Sequence, residues 1–145
     1  MPYYPGSGAG ATFGPWTPAL IATTTPPNLG ASGVIAGRYA LVGDLVVGRC
    51  SALFGGAGVN AGSGTYLLSL PVAPRVPADD GSILGVIWAY DASATRVYVG
   101  MLTYYDATHA RMRIDEATNF VTNSSPVTWA AGDNFMANFS YERAV

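Results

Sequence analysis

The sequence contains no lysine, one histidine and one cysteine, and only 11% of its 145 residues are charged. Its basic residues are all arginine, and the seven of them are outnumbered by nine acidic residues. The basic surface typical of nucleic-acid binders is therefore missing. The single thiol, Cys50, has no partner for an intrachain disulfide or a metal site, and because it lies in an apolar segment we expect a small core residue. No cofactor, metal or nucleic-acid partner is predicted.

Long hydrophobic runs are also missing. No segment approaches the ~20 consecutive apolar residues of a membrane-spanning helix, so no membrane insertion is predicted. Residues 1–6 place no basic residue ahead of an apolar stretch, so we expect no secretory signal. The expectation is a protein made in the cytoplasm that stays there until it assembles.

Half of the residues are hydrophobic and only 11% are charged. In an average soluble domain about 25% of the residues are charged. A chain of this length fits one domain that buries roughly 70% of its unfolded surface. The shortage of charge predicts that part of the remaining surface is covered by copies of the chain or by a partner. We therefore expect a symmetric oligomer.

The chain divides into two parts by composition. Residues 1–15 are rich in Gly, Pro and Tyr, which predicts a flexible N-terminal arm. Residues 16–145 show strand-like runs separated by turn residues, with no helical periodicity. The eight candidate strands are Thr17–Thr23, Val34–Val42, Asp44–Leu53, Thr65–Leu70, Ile83–Tyr90, Thr95–Tyr104, His109–Asp115 and Asn134–Glu142.

Alternation of apolar and polar residues is clearest in the last two candidate strands. It predicts that one face of each strand lies in the core and the other faces solvent. Gly43-Asp44 joins two long strands closely enough for a hairpin. These patterns predict an all-β fold, an eight-stranded antiparallel β-sandwich that is jelly-roll-like. An up-and-down barrel is the alternative.

Catalytic motifs are weak. His109 is a potential general base with Asp106 three residues earlier to orient it, but it begins a strand on a face shared with arginines, which favours a solvated position. The acid pairs Asp79-Asp80 and Asp115-Glu116 point in diverging directions rather than towards one glycosidic bond. The glycines at 56, 58 and 62 precede a strand instead of the helix that a dinucleotide site needs. We predict no enzymatic activity.

Aromatic residues offer two interpretations. They would form either a carbohydrate-stacking platform or ordinary sandwich packing and subunit contacts, and the enrichment of Tyr and Trp at interfaces favours the second. The residues concerned are Trp16, Trp88, Tyr90, Tyr98, Tyr104, Tyr105 and Trp129.

A series of short motifs resembles a small β-sandwich domain of tailed-phage virion proteins, particularly those of actinobacterial hosts. The motifs are Trp16-Thr17-Pro18, Gly37-Arg38-Tyr39, Gly43-Asp44-Leu45-Val46, Tyr66-Leu67-Leu68-Ser69-Leu70-Pro71, Trp129-Ala130-Ala131-Gly132-Asp133 and Ser140-Tyr141-Glu142. Such domains end minor tail and fibre proteins or stand alone as capsid decoration proteins, typically trimers. In physical terms, Gly132 permits a positive φ and Asp133 can accept backbone hydrogen bonds before the last strand.

The resemblance implies a non-enzymatic virion protein, and the short segment ahead of the domain favours a free-standing decoration protein. On this hypothesis the chain forms a homotrimer on the capsid surface and stabilises the shell. Its N-terminal arm would contact the major capsid protein through Tyr3, Tyr4 and Pro5. The three-fold interface would gather outward positions of one strand, namely Tyr98, Leu102 and Tyr104. The alternative is a tail or fibre-tip module that binds host-surface glycan, with a cell-wall hydrolase the least favoured reading.

Overall fold

The computed structural model describes residues 10–76, 82–115 and 120–145. Within these ranges the protein is all-β, and they contain no helix that is long and apolar enough to cross a membrane. The strands are β1 (Gly14–Trp16), β2 (Leu20–Ala22), β3 (Val34–Val42), β4 (Leu45–Leu53), β5 (Tyr66–Ser69), β6 (Ile83–Asp91), β7 (Arg96–Tyr104), β8 (His109–Ile114) and β9 (Asn134–Glu142).

All of these strands belong to one antiparallel sheet, in the order β1-β3-β4-β9-β6-β7-β8-β5-β2. The two edge strands, β1 and β2, are joined by residues 17–19 alone, a link that spans at most roughly 14 Å. The sheet must therefore curl until its edges come near each other, which encloses a core between its two halves. This architecture confirms the predicted all-β, sandwich-like fold, with nine strands rather than eight.

The first predicted strand, Thr17–Thr23, is wrong as a single element. The chain leaves the ladder between β1 and β2, where Pro18 has no N–H to donate, and passes from the edge beside β3 to the edge beside β5. Gly14 and Pro15 were predicted to belong to the N-terminal arm but pair with β3. The other seven predicted strands match the observed bounds to within one residue at each end.

The core fills the inside of the curled sheet. Trp129 is 3% exposed and stacks on Phe54 with ring centroids 5.5 Å apart, while its indole N–H donates to the Thr122 carbonyl over 2.9 Å. The alternation predicted for β8 and β9 is confirmed. The inward side chains of these two strands are Ala110, Met112, Ile114, Phe135, Ala137, Phe139 and Tyr141.

Two turns have the predicted chemistry. Gly43 and Asp44 close the β3–β4 hairpin, with Gly43 at φ 61°. Before β9, Gly132 has φ 99°, and the buried Asp133 carboxylate accepts backbone N–H bonds from Ala92 at 2.9 Å and Ala130 at 2.8 Å. The second turn ties the start of β9 to the β6–β7 connection and so fixes the strands that carry the surface described next.

Candidate interaction surface

Strand β7 was predicted to carry the trimer interface, but its faces are reversed relative to that prediction. Leu102 is fully buried, Tyr98 is 8% exposed, and Tyr104 packs against the core. These positions do not point outward as predicted. The strand is apolar on both faces, so its alternation does not reveal which side is buried, and a change of phase by one residue exchanges the two faces. The outward positions are Val97, Val99 and Met101.

These outward residues of β7 belong to a larger apolar surface on the outer face of β6, β7 and β9, which we call the apolar band. Register places Trp88 between Val99 and Met136, and Val86 opposite Met101. These apolar side chains are open to solvent in the single chain: Val99 is 60% exposed, Val86 55% and Met136 47%. The members of the apolar band are Val86, Trp88, Tyr90, Val97, Val99, Met101 and Met136.

The centre of the apolar band is aromatic. Trp88 and Tyr90 lie two residues apart on β6 and stack with ring centroids 6.0 Å apart and planes 8° apart. Both rings are half-buried. A contiguous exposed apolar patch marks interaction sites, and Trp, Tyr and Met are enriched at protein interfaces. The composition of the band is therefore that of an interface.

Beside the apolar band, three polar residues form a row across neighbouring strands. Arg38 of β3 lies directly opposite Arg49 of β4, and Arg49 lies opposite Asn138 of β9. We call these three residues the arginine row. One guanidinium N–H of Arg38 donates to the Phe13 carbonyl over 2.7 Å, which ties the row to the segment before β1.

The candidate base His109 sits in a turn-stabilising cluster. Its Nδ1 lies 3.2 Å from Asp106 Oδ1, and the same oxygen accepts the backbone N–H groups of Thr108 at 2.7 Å and His109 at 2.8 Å. Partial burial acts to raise the pKa of Asp106, but the hydrogen bonds from Thr108 and His109 hold that pKa below its ordinary value. The carboxylate closes the β7–β8 hairpin as an Asx-type turn does.

The remaining candidate residues are scattered. Asp79-Asp80, Glu116 and the arm residues Tyr3, Tyr4 and Pro5 lie outside the described residues, while Asp115 is exposed at the end of β8. In the described ranges, no group of three or more His, Cys, Asp or Glu side chains is placed to hold a metal ion. Cys50 is buried in the core, as predicted, and desolvation raises its pKa to about 12.

The aromatic residues considered for a carbohydrate platform separate between the two faces of the sheet. Trp16, Tyr98 and Trp129 pack into or against the core. Trp88 and Tyr90 share the outer face. Tyr105 is exposed, and the Arg111 guanidinium lies 5.6 Å from the centroid of the Tyr105 ring. The alternative of a carbohydrate platform therefore reduces to the stacked pair on β6.

Sequence reasoning missed the apolar band, although a signal for it is present. Strands β6 and β7 are apolar at almost every position. An antiparallel strand with one face in water alternates between apolar and polar residues, and a strand covered on both faces does not. The near-continuous apolar character of these two strands is therefore the sequence signal for a sheet region that is apolar on both faces.

Comparison of the chain with protein-family models, with curated proteins and with solved structures finds no match. A fold hosts many unrelated functions, so function has to be argued from the site. In this protein the features from which function can be argued are the apolar band and the arginine row.

Proposed function

We propose that the chain is a non-enzymatic structural protein that acts by assembly, most specifically a trimeric decoration protein on the capsid surface of a tailed phage. The apolar band is the observation that supports assembly. It exposes Val99, Val86 and Met136 by about half or more of their surface on three neighbouring strands. A soluble protein gains by covering such a face with another protein surface.

A second copy of the chain is the occupant we propose for the apolar band. The low proportion of charged residues favours self-association over a solvated monomer, and closed cyclic symmetry is the usual form of such oligomers. The number three, the capsid location and contact with the major capsid protein come from the motif resemblance. On this proposal the protein is made in the host cytoplasm and adds its binding free energy to the stability of the shell.

The stacked pair Trp88 and Tyr90 supports a second candidate, a minor tail or fibre-tip module that holds host-surface glycan. Sugar rings pack on flat aromatic faces, and these two rings are nearly parallel on the outer side of the sheet. In this alternative the aromatic pair would remain accessible in the assembled particle instead of being covered by a neighbouring copy.

Two measurements test the proposal. Native mass spectrometry of the purified chain is expected to give three times its 15.0 kDa mass, and a monomer would contradict the trimer. Quantification of the chain against the major capsid protein in purified virions is expected to give comparable amounts. A far smaller ratio would place the chain in the tail and make glycan binding the next question.

A further inference from the structure

The arginine row places two like charges side by side. Residues directly opposite each other in an antiparallel ladder have Cβ atoms about 4.5–5.5 Å apart, and like charges at such positions destabilise the pair. Arg38 and Arg49 occupy such positions on β3 and β4. An anion that lies between or beside the two guanidinium groups would relieve this repulsion.

The described part of the chain does not supply that anion. Its ion pairs join Arg75 to Glu142, His109 to Asp106 and Arg143 to Asp44. The guanidinium groups of Arg38 and Arg49 lie more than 4.0 Å from every described carboxylate, and the Arg49 side chain has no hydrogen bond to any described residue. Since acidic residues outnumber basic ones in the sequence, a general shortage of carboxylates does not explain the unpaired charges.

Grooves with apolar walls flank the arginine row on both sides. One groove, of about 400 Å³, continues to Ala36, Ser51 and Met136. The other, of about 530 Å³, continues to Phe13 and Val47. All three residues of the row line both grooves. A ligand that fits this surface therefore carries negative charge at its centre and apolar groups on either side.

We propose that the arginine row binds the carboxylate side chains of an extended acidic segment of a partner protein, with apolar residues of that segment in the two grooves. The planar guanidinium fork matches a carboxylate in a bidentate arrangement. The three residues of the row lie on neighbouring strands about 4.8 Å apart, so the row spans about 10 Å, and two carboxylates on alternate residues of an extended peptide, about 7 Å apart, fit within that span. Residues 1–9 contain no acidic residue, so that part of the chain cannot supply the charge.

This inference goes beyond self-association, because it assigns to a different partner a surface that adjoins the apolar band at Met136, and it does not require a trimer. It is tested by fluorescence anisotropy with a labelled peptide in which two glutamates are separated by valine and flanked by leucines. The wild-type protein is expected to bind this peptide, with affinity that falls as salt concentration rises. The double variant Arg38→Gln/Arg49→Gln is expected to bind roughly tenfold to hundredfold more weakly, as for lost hydrogen bonds to charged groups.

Matched controls separate charge recognition from other effects. Arg113→Gln removes an outer-face arginine beyond the apolar band, opposite Met101, and is expected to leave binding unchanged. Arg49→Lys keeps the charge but loses the bidentate fork, and is expected to give intermediate affinity. The melting temperature of Arg38→Gln/Arg49→Gln is expected to change little, because removal of the like-charge repulsion and loss of the Arg38–Phe13 hydrogen bond act in opposite directions.

Four outcomes would overturn the inference. They are equal binding of a peptide with glutamine in place of glutamate, equal binding by Arg38→Gln/Arg49→Gln, binding of inorganic phosphate or an acidic oligosaccharide without any binding of the peptide, and loss of the oligomer in the double variant. The last outcome would make a second copy the occupant of the row. The mass of the wild-type protein, measured separately, reports on the proposed function alone.

Discussion

Trp88 stacks on Tyr90 on the outer face of β6, and each ring faces a valine of β7 in the ladder, Val99 for Trp88 and Val97 for Tyr90. Because these side chains point away from the core, their mutual contact does not help to enclose it. In the proposed oligomer this arrangement would lie at the centre of the interface. This relationship makes the apolar band testable by single substitutions that leave the fold intact.

Val99→Asp is expected to dissociate the oligomer, because a carboxylate in a desolvated interface loses its hydration without gaining a partner. Val99 is 60% exposed in the single chain, so the substitution should change monomer stability by only about 0.5 kcal/mol. Native mass spectrometry measures the mass. The matched control is Val42→Asp at the end of the β3–β4 hairpin, where the valine is 53% exposed and the oligomer should persist. An unchanged mass for Val99→Asp would remove the apolar band as the self-contact.

Gly100→Ala is expected to destabilise the protein. Gly100 lies on β7, and a Cβ there would collide with the backbone carbonyl oxygen of Arg113 on β8. Separating the strands to make room should cost about 1–3 kcal/mol. Urea unfolding followed by tryptophan fluorescence measures the change. Gly14→Ala is the control, since a Cβ there meets nothing within 4 Å, and equal stability of the two variants would contradict the close approach of β7 and β8.

Much of the fold can be predicted from local patterns. Strands β8 and β9 alternate cleanly, and the Gly43-Asp44 turn fixes the β3–β4 hairpin, so their bounds follow from the sequence. The bounds of β1 do not follow from the sequence, because Gly14 and Pro15 have the composition of the N-terminal arm. They join the sheet through pairing with β3, which is a tertiary effect. The accommodation of Trp16 there depends on Gly37, where a Cβ would meet the indole ring.

The candidate surface was harder to predict than the fold. Leu102 and Val99 are both apolar residues of β7, and nothing local says that the first is buried and the second exposed. That assignment depends on which face of β7 meets the core residues of the neighbouring strands. The arginine row is equally invisible in sequence, since Arg38 and Arg49 become neighbours only through the register of the hairpin.

Stability is expected to fall at alkaline pH because of Cys50. Burial raises the pKa of its thiol from 9.0 to about 12, so between these values the unfolded chain releases a proton that the folded chain retains. The stability present below pH 9 is then lost at about 1.4 kcal/mol per pH unit for this group. Burial also raises the pKa values of Tyr66 and Tyr141, which steepens the loss at higher pH.

Urea unfolding of the wild type and Cys50→Ala between pH 7 and 10.5 isolates the thiol contribution. The variant is expected to be less stable at pH 7, because it loses buried core volume, and the gap should narrow above pH 9 as the wild type loses its thiol-dependent stability. Parallel pH profiles for the two proteins would contradict a buried, protonated thiol. The tyrosine contribution is common to both proteins and cancels in the difference.

At the acid end, Asp91 is expected to contribute stability that disappears at low pH. Hydrogen bonds from the Ser93 hydroxyl and from the backbone N–H groups of Ala94 and Ser93 hold its pKa below 3.8, although desolvation opposes them. Because the folded-state pKa is lowered, the stabilisation is complete above the unfolded-state pKa and is lost as pH falls through the folded one. Asp91→Asn should therefore lower the melting temperature at pH 6, with a deficit that shrinks below about pH 4. The exposed Asp115, changed to Asn, should show almost no deficit at pH 6, and a constant deficit for Asp91→Asn down to pH 2 would assign its effect to shape rather than charge.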